Sequence, residues 1–340
     1  MEPVSMSFGD RIFIHDCDGH RIFLDTNDIH IMCHMLEHRE WEPQNREIIK
    51  ETLKKADFKG CCVDVGANIG LHSVYMAGLL NNEGTVVCFE PNKSVYQILR
   101  DNLDINGLLW KSSIYNCAVS DHAGDGVMHV YDERAGMSGL GKNDGLGECK
   151  EQNVDIVTLD DTIDLNLRIP LLKIDVEGFE WDVVKGAKNL IESHKDEITI
   201  ILEWHPDEMR NATESDAPEK LLNFMKGMEF TCYESHYMEP LSKLGDYREA
   251  LRGGPDLVFT RGGHLEKLTL HNLPKNNEKS NESINEIEAL KELITEKNKQ
   301  IEFGEKAFYD AVDVQNELKS RLEHPSVKDV MRAIRNFLRG

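Results

Sequence analysis

Residues 63–70 read VDVGANIG, and residues 71–80 continue LHSVYMAGLL. The first stretch sets one acidic residue, Asp64, in an apolar run of strand character, then breaks the run with Gly66 and Gly70 ahead of a helical segment. Strand, glycine turn and helix in that order form the opening unit of an α/β sheet. In such sheets ligands bind beyond the carboxyl ends of the strands.

The rest of the chain extends that pattern. From Cys61 to Gly263, short β-rich runs alternate with amphipathic segments, which predicts a mostly parallel sheet with helices on both faces. The expected strands are Cys61–Val65, Thr85–Phe89, Ile114–Val119, Leu171–Ile174, Ile198–Glu203, Phe230–Tyr233 and Leu257–Thr260. Residues 126–161, punctuated by glycine, read as an inserted hairpin and flexible loop between the third and fourth strands. Residues 1–60 read as a small N-terminal cap, because RIFIHDCDGHRIFL (11–24) alternates on both sides of a DCDG turn.

Residues 264–283 read as a polar linker and residues 284–340 as a helical tail. Ile287, Ile294, Ile301 and Phe308 recur at heptad spacing, which predicts a coiled coil interrupted by Lys297 and Gly304. The closing stretch PSVKDVMRAIRNFLRG predicts a basic amphipathic helix, with Val327, Val330, Ile334 and Phe337 opposite Lys328, Arg332, Arg335 and Arg339. This helix is expected to pack against the catalytic domain or complete a coiled-coil oligomer, with docking on an anionic membrane surface or an acidic partner enzyme as the alternative.

The chain has 340 residues, 40% of them hydrophobic, enough to bury a sizeable core. A formal charge of -22 repels nucleic-acid backbones and favours neutral or cationic small ligands. No stretch approaches the roughly 18 apolar residues of a membrane span. The N-terminus lacks a basic segment followed by an apolar run, so a cytoplasmic protein, at most peripheral to a membrane, is expected. The eight cysteines form no CxxC pair and sit mostly in apolar runs, as reduced, buried thiols do.

The glycine turn narrows the ligand. A nicotinamide-binding loop reads GxGxxG, whereas here Ala67 and Asn68 separate Gly66 from Gly70 and the middle glycine is missing. Asp64 would repel a pyrophosphate but suits a cationic ligand carrying an amino group and a sulfonium, which is S-adenosylmethionine. Glu90, in VVCFEP with Pro91 after it, closes the next strand, where a carboxylate can accept both hydroxyls of a ribose. Two rival readings are a dinucleotide-dependent oxidoreductase or epimerase and a non-catalytic scaffold displaying the tail. The missing glycine opposes the first; the convergence of Asp64, Glu90, Asp175 and Glu203 opposes the second.

VDVGANIGLHSVYMA, VVCFEPN, YNCAVSDHAG, VDIVTLDD, LLKIDVEGFEWDVVKGA and IILEWHP occur here in the order found in the FkbM-family methyltransferases, which the chain resembles over about residues 55 to 260. The resemblance implies a class I, Rossmann-like methyltransferase fold: a seven-stranded sheet with its last strand antiparallel. It also implies methyl transfer to a hydroxyl, often on a sugar or glycan.

Methyl transfer to an alcohol needs an aligned acceptor and removal of a proton from a weak acid. LLKIDVEGFE supplies Asp175 and Glu177 at the fourth strand end, and IILEWHP supplies Glu203 and His205 at the fifth. In one chemistry Asp175 and Glu203, with His205, hold a hard divalent cation such as Mg²⁺ and Glu177 takes the proton. In the other there is no metal, and a carboxylate or His205 acts directly. IDVEG is also similar to the metal-binding strand end of macrocin O-methyltransferases, although their later paired aspartates are replaced here by EWH (203–205). Asn116, Ala118 and Asp121, in the NCAVSD segment after the third strand, are expected at the adenine, with a loop cap as the alternative for Asn116.

Glu180 reads as a helix-start residue, and Lys173 as half of a core salt bridge. His30, His34 and His38 lie four apart, a spacing that can bind zinc, but without a further ligand nearby they read as a surface or cap-contacting stripe. RAGMSGLG, with Ser138, reads as a lid or a plain loop.

Overall fold

The computed structural model describes residues 5–8, 11–17, 19–131, 138–141, 149–236, 238, 240–241, 256–261 and 265. The linker and helical tail lie outside the described residues, apart from Leu265. So does most of the glycine-rich loop, of which Ser138–Gly141 are described.

The chain opens with antiparallel strands β1 (Ser5–Phe8), β2 (Arg11–Cys17) and β3 (His20–Asp25), followed by α1 (Ile29–His38) and α2 (Pro43–Lys55). Next come β4 (Gly60–Val65), α3 (Leu71–Leu79), β5 (Gly84–Phe89), α4 (Lys93–Ile105) and β6 (Ser112–Tyr115). The short strand β7 (Ala118–Val119) and the hairpin β8 (Gly124–Val130) and β9 (Lys150–Val157) make a small sheet of order β7-β9-β8. Then follow α5 (Leu159–Thr162), β10 (Leu171–Ile174), α6 (Glu180–Gly186), α7 (Lys188–His194) and β11 (Thr199–Leu202). The described fold closes with α8 (Pro206–Ala212), α9 (Ala217–Gly227), β12 (Thr231–Glu234) and β13 (Leu257–Thr260).

Seven of these strands form the central sheet, in the order β12-β13-β11-β10-β4-β5-β6. β13 is antiparallel to both of its neighbours, while β11, β10, β4, β5 and β6 are mutually parallel. This is the class I methyltransferase architecture that the resemblance implied. The chain winds outward from β4 through β5 to β6, then returns to place β10 on the other side of β4. The switch point therefore falls between β4 and β10, and opens a crevice at their carboxyl ends.

The expected third strand, Ile114–Val119, is in fact two strands in two sheets. Asn116 Nδ2 donates to the carbonyls of Glu90 and Pro91, at 2.8 and 3.0 Å, and the chain turns there before β7 starts. The inserted hairpin is present as β8 and β9. Among the described residues, no helix is long and apolar enough to cross a membrane.

Alternation along the strands sorts two cores. Cys61, Val63 and Val65 of β4 face one core with Phe89, Leu172, Ile174 and Leu202. Cys62, Cys88, Leu171, Ile201 and Val258 face the other, which also takes Ile14 and Leu24 of the N-terminal sheet, Leu36 of α1 and Leu53 of α2. The N-terminal segment thus shares a core with α3 and α4 rather than standing apart. Each fully buried Leu or Ile there contributes about 1.5–3 kcal/mol of transfer free energy.

Asn102 of α4 fastens that segment. Fully buried, it accepts from Phe23 N at 2.6 Å and donates through Nδ2 to Phe23 O at 3.0 Å and Ile69 O at 2.7 Å. It therefore pins β3 to the turn that precedes α3. Asn102→Leu should cost roughly 2–4 kcal/mol, because backbone groups of Phe23 and Ile69 are left buried and unpaired. Urea denaturation gives the loss, and hydrogen exchange should show the Phe23 amide opening first.

Candidate active site

The glycine turn follows from close approach. Gly66 has φ +78°, and a Cβ there would lie 1.7 Å from the Asp175 carbonyl oxygen, so the end of β4 presses directly on the end of β10. Gly66 N and Ala67 N both donate to Phe89 O at 3.0 Å, which fastens the turn to β5. Asn68, at φ +50°, donates its amide to Glu90 Oε2 at 2.9 Å. Gly70, at φ +88°, begins α3 against Leu99.

Glu90 is 6% exposed and accepts from the amides of Asn68 and Asn92. Burial pushes its carboxyl up to about 7, against the pull of those two hydrogen bonds. Asp64 is buried on the same side of the sheet, where it accepts from Ser73 Oγ. Burial raises it, and Lys173 opposes the rise.

Lys173 lies beside Asp64 in register and is 4% exposed, with its Nζ 2.6 Å from Asp175 Oδ2. Burial works against its charge, but Asp175, Glu42, Asp64 and Asp256 together outweigh it and hold the ammonium charged. The expected core salt bridge is this one.

Beyond it, one oxygen each of Asp175, Glu177 and Glu203 lie within 4.8 Å of one another. Glu177 takes a left-handed φ of +53°. Burial, then Asp175 and Glu208, push it up to about 9. Burial, then Asp175 and Glu177, push Glu203 well up. Glu203 Oε1 lies 3.2 Å from His205 Nε2, while its Oε2 is buried without a hydrogen-bond partner. Glu180 is fully buried at the start of α6, and accepts from Gly178 N at 3.0 Å. It organises the Glu177 turn, an extension of its helix-start reading.

These groups line a cavity of about 520 Å³. From the sequence-derived set it takes in Asp64, Gly66, Ala67, Asn68, Glu90, Pro91, Ala118, Asp175, Glu177, Glu203, His205 and Ser138. Gly70 sits one residue behind, where it shapes the turn. Asn116 and Asp121 do not line the cavity. Asn116 caps the loop as described above, and Asp121 turns outward to Lys185 at 2.6 Å and His122 at 2.8 Å. His30 and His34 meet the Trp41 ring edge-on at 6.0 and 5.0 Å, His38 packs on His34 at 4.6 Å, and burial lowers His34 to about 4. The stripe reading holds.

Sequence reasoning missed the wall contributed by the N-terminal segment. Asp28, His30, Trp41 and Glu42 all line the cavity, as do His72 and Glu208. Glu42 Oε2 lies 2.8 Å from His72 Nε2 and accepts from Asn45 Nδ2 at 2.8 Å, and Asn45 also reaches Asp256. The WEP preceding α2 was a signal for a helix start, and nothing local tied it to His72 or Asp256.

A family description, Methyltransferase FkbM domain, matches residues 64–232. This part of the chain belongs to the FkbM methyltransferase family. Methyltransferase sdnD of Sordaria araneosa is 29% identical, with 45% of this chain and 70% of that protein aligned. Methyltransferase 1 of Beauveria bassiana and hexuronic acid methyltransferase AglP of Haloferax volcanii are each 28% identical. Those matches cover 36% and 44% of this chain, and 57% and 58% of the relatives. An SAM-dependent O-methyltransferase from Thermotoga maritima aligns over 76% of this chain and 84% of its own, at 14% identity and TM-score 0.37. The FkbM domain begins at Asp64, so the wall formed by residues 28–42 lies outside the matched stretch.

Lys173→Met should destabilise the protein by about 3–5 kcal/mol, because buried carboxylates lose their counter-charge. Without the ammonium those carboxyls rise further. A group raised in the folded state stabilises it below its unfolded pKa and loses that contribution as pH rises. The deficit should therefore widen from pH 5 to pH 8 in urea titrations.

Proposed function

We propose that the chain is an S-adenosylmethionine-dependent O-methyltransferase acting on a hydroxyl of a sugar or glycan. The observation that carries this reading is the pair Asp64 and Glu90, on adjacent strand ends around the Gly66 turn, facing the same cavity as Asp175, Glu177, Glu203 and His205. The residues present fit the cofactor. Asp64 would take its amino group and Glu90 its ribose hydroxyls, through lone pairs left beside the two backbone amides; the Gly66–Gly70 backbone would lie along it. Pro91 and Ala118 would flank the adenine. Bound there, the cofactor supplies an electrophilic methyl group on a positively charged sulfonium.

The chain's own groups do the rest. Lys173 holds Asp175 in place to orient the acceptor hydroxyl, and Glu177 takes its proton. The raised pKa makes Glu177 a stronger base than an ordinary carboxylate, and a positive charge in the cavity favours its ionised form. His205, half-exposed and paired with Glu203, relays the proton to solvent. The hexuronic acid methyltransferase among the relatives supports a sugar acceptor.

A second reading rests on the spacing of Asp175, Glu177 and Glu203, which suits a small hard cation such as Mg²⁺. These three carboxylates would hold it, and it would lower the pKa of an acceptor hydroxyl.

Asp64→Asn should weaken S-adenosylmethionine binding about 10- to 100-fold in calorimetry, the scale of a lost charge-assisted hydrogen bond. Unchanged affinity removes Asp64 from the cofactor site. Labelled methyl transfer to a sugar panel, before and after EDTA, separates the two chemistries: activity lost to EDTA and regained with Mg²⁺ selects the metal.

A further inference from the structure

The cavity described above is strongly acidic: Asp28, Glu42, Asp64, Glu90, Asp175, Glu177, Glu203 and Glu208 all line it. Lys173 also lines it, but its ammonium is engaged by Asp175 at 2.6 Å. His72 is taken by Glu42 at 2.8 Å and His205 by Glu203 at 3.2 Å, while His30, also in the lining, packs edge-on to Trp41 at 6.0 Å.

The carboxylates fall into two groups. Asp64 and Glu90 flank the glycine turn, on the cofactor side. Asp28, at the N-cap of α1, and Glu208, in the first turn of α8, are charged neighbours of Glu177. These three come from separate segments of the chain and line the same cavity.

A second kind of side chain shares that wall. Trp41 and Phe179 both line the cavity. Aromatic faces beside carboxylates are the chemistry that recognises ammonium groups, through ring quadrupoles and charge together. Glu203 Oε2, buried and unpaired, is a further polar atom without a partner in the protein.

We propose that the acceptor carries an ammonium group close to the hydroxyl that is methylated, as an amino sugar does, and that the cavity refuses carboxylated sugars. The proposal rests on the methyltransferase reading above. A uronate, the substrate class in one relative's name, would bring an anion into a wall of carboxylates. An ammonium meets Asp28, Glu177 and Glu208 in a cavity that Trp41 also lines.

The test is calorimetry on the full chain saturated with S-adenosylhomocysteine, titrated with methyl glycosides of amino, neutral and uronic sugars in the gluco, galacto and manno series. At least one amino glycoside should bind about 10-fold or more tighter than its neutral counterpart, as one screened charge contact allows, with uronides weakest. Asp28→Asn and Glu208→Gln should shrink that ratio to about threefold or less while cofactor affinity stays unchanged. Asn still caps α1, so the first variant keeps the helix.

Equal or tighter binding of neutral sugars or uronides overturns the proposal, and so does absence of binding by every amino glycoside. Repeating the titrations with Mg²⁺ and with EDTA identifies the source of positive charge. If Mg²⁺ binds and abolishes the amino preference, a metal fills the acidic wall and the ammonium proposal falls. Failure of S-adenosylhomocysteine itself to bind would instead strike at the methyltransferase reading.

Discussion

One buried ammonium sets the terms for the whole site. Lys173 sits on β10 at the centre of the sheet, beside Asp64 on β4, with Asp175 two residues further on. Placing a charge there is costly, and it is tolerated only because carboxylates converge on it from several segments. The same carboxylates would be intolerable without it. The sheet's switch point brings them together, and Lys173 makes that convergence compatible with folding.

One cation does not neutralise eight carboxylates, and the structure shows how the remainder are accommodated. Glu90 leans on two backbone amides, and Glu180 on the turn before its helix. Glu42 takes His72 and Asn45. Glu203 has His205 at one oxygen only, and burial and neighbouring carboxylates drive both it and Glu177 upward. The strain is concentrated where the chemistry is proposed.

Much of this was legible in the chain, for a definite reason. Strand alternation places Cys62 and Asp64 on one face, and Leu171 and Lys173 on the corresponding face of β10, so the polar ends of apolar stripes announce the crevice. The glycine turn was equally readable, because Gly66 meets a backbone oxygen that no side chain could accommodate. For Asn116 the loop-cap alternative is the one the structure shows: its side chain caps two carbonyls and ends β6 early, while Asp121 faces Lys185 instead of the cavity. Glu42, His72 and Asp256 meet only in three dimensions. Each alone reads as an ordinary polar residue near a helix or strand end.

The N-terminal segment shows why a domain boundary drawn from pattern is a poor guide to where a site ends. Its strands and helices bury their apolar faces in the same core as α3 and α4, and Asn102 and Glu42 fix the segment's position at two points. A wall held that firmly can present Asp28 and Trp41 to a ligand without rearranging. The family-matched stretch supplies the glycine turn and the carboxylates Asp175, Glu177 and Glu203; residues ahead of it supply Asp28, Trp41 and Glu42 to the same cavity. On the proposed reading, selectivity would draw on both parts of the chain, Asp28 and Trp41 from the N-terminal segment and Glu208 from the family-matched stretch, joined through one core. Acceptor preference can then be altered at Asp28 or Glu208 without disturbing the Lys173–Asp175 pair that holds the reactive end together.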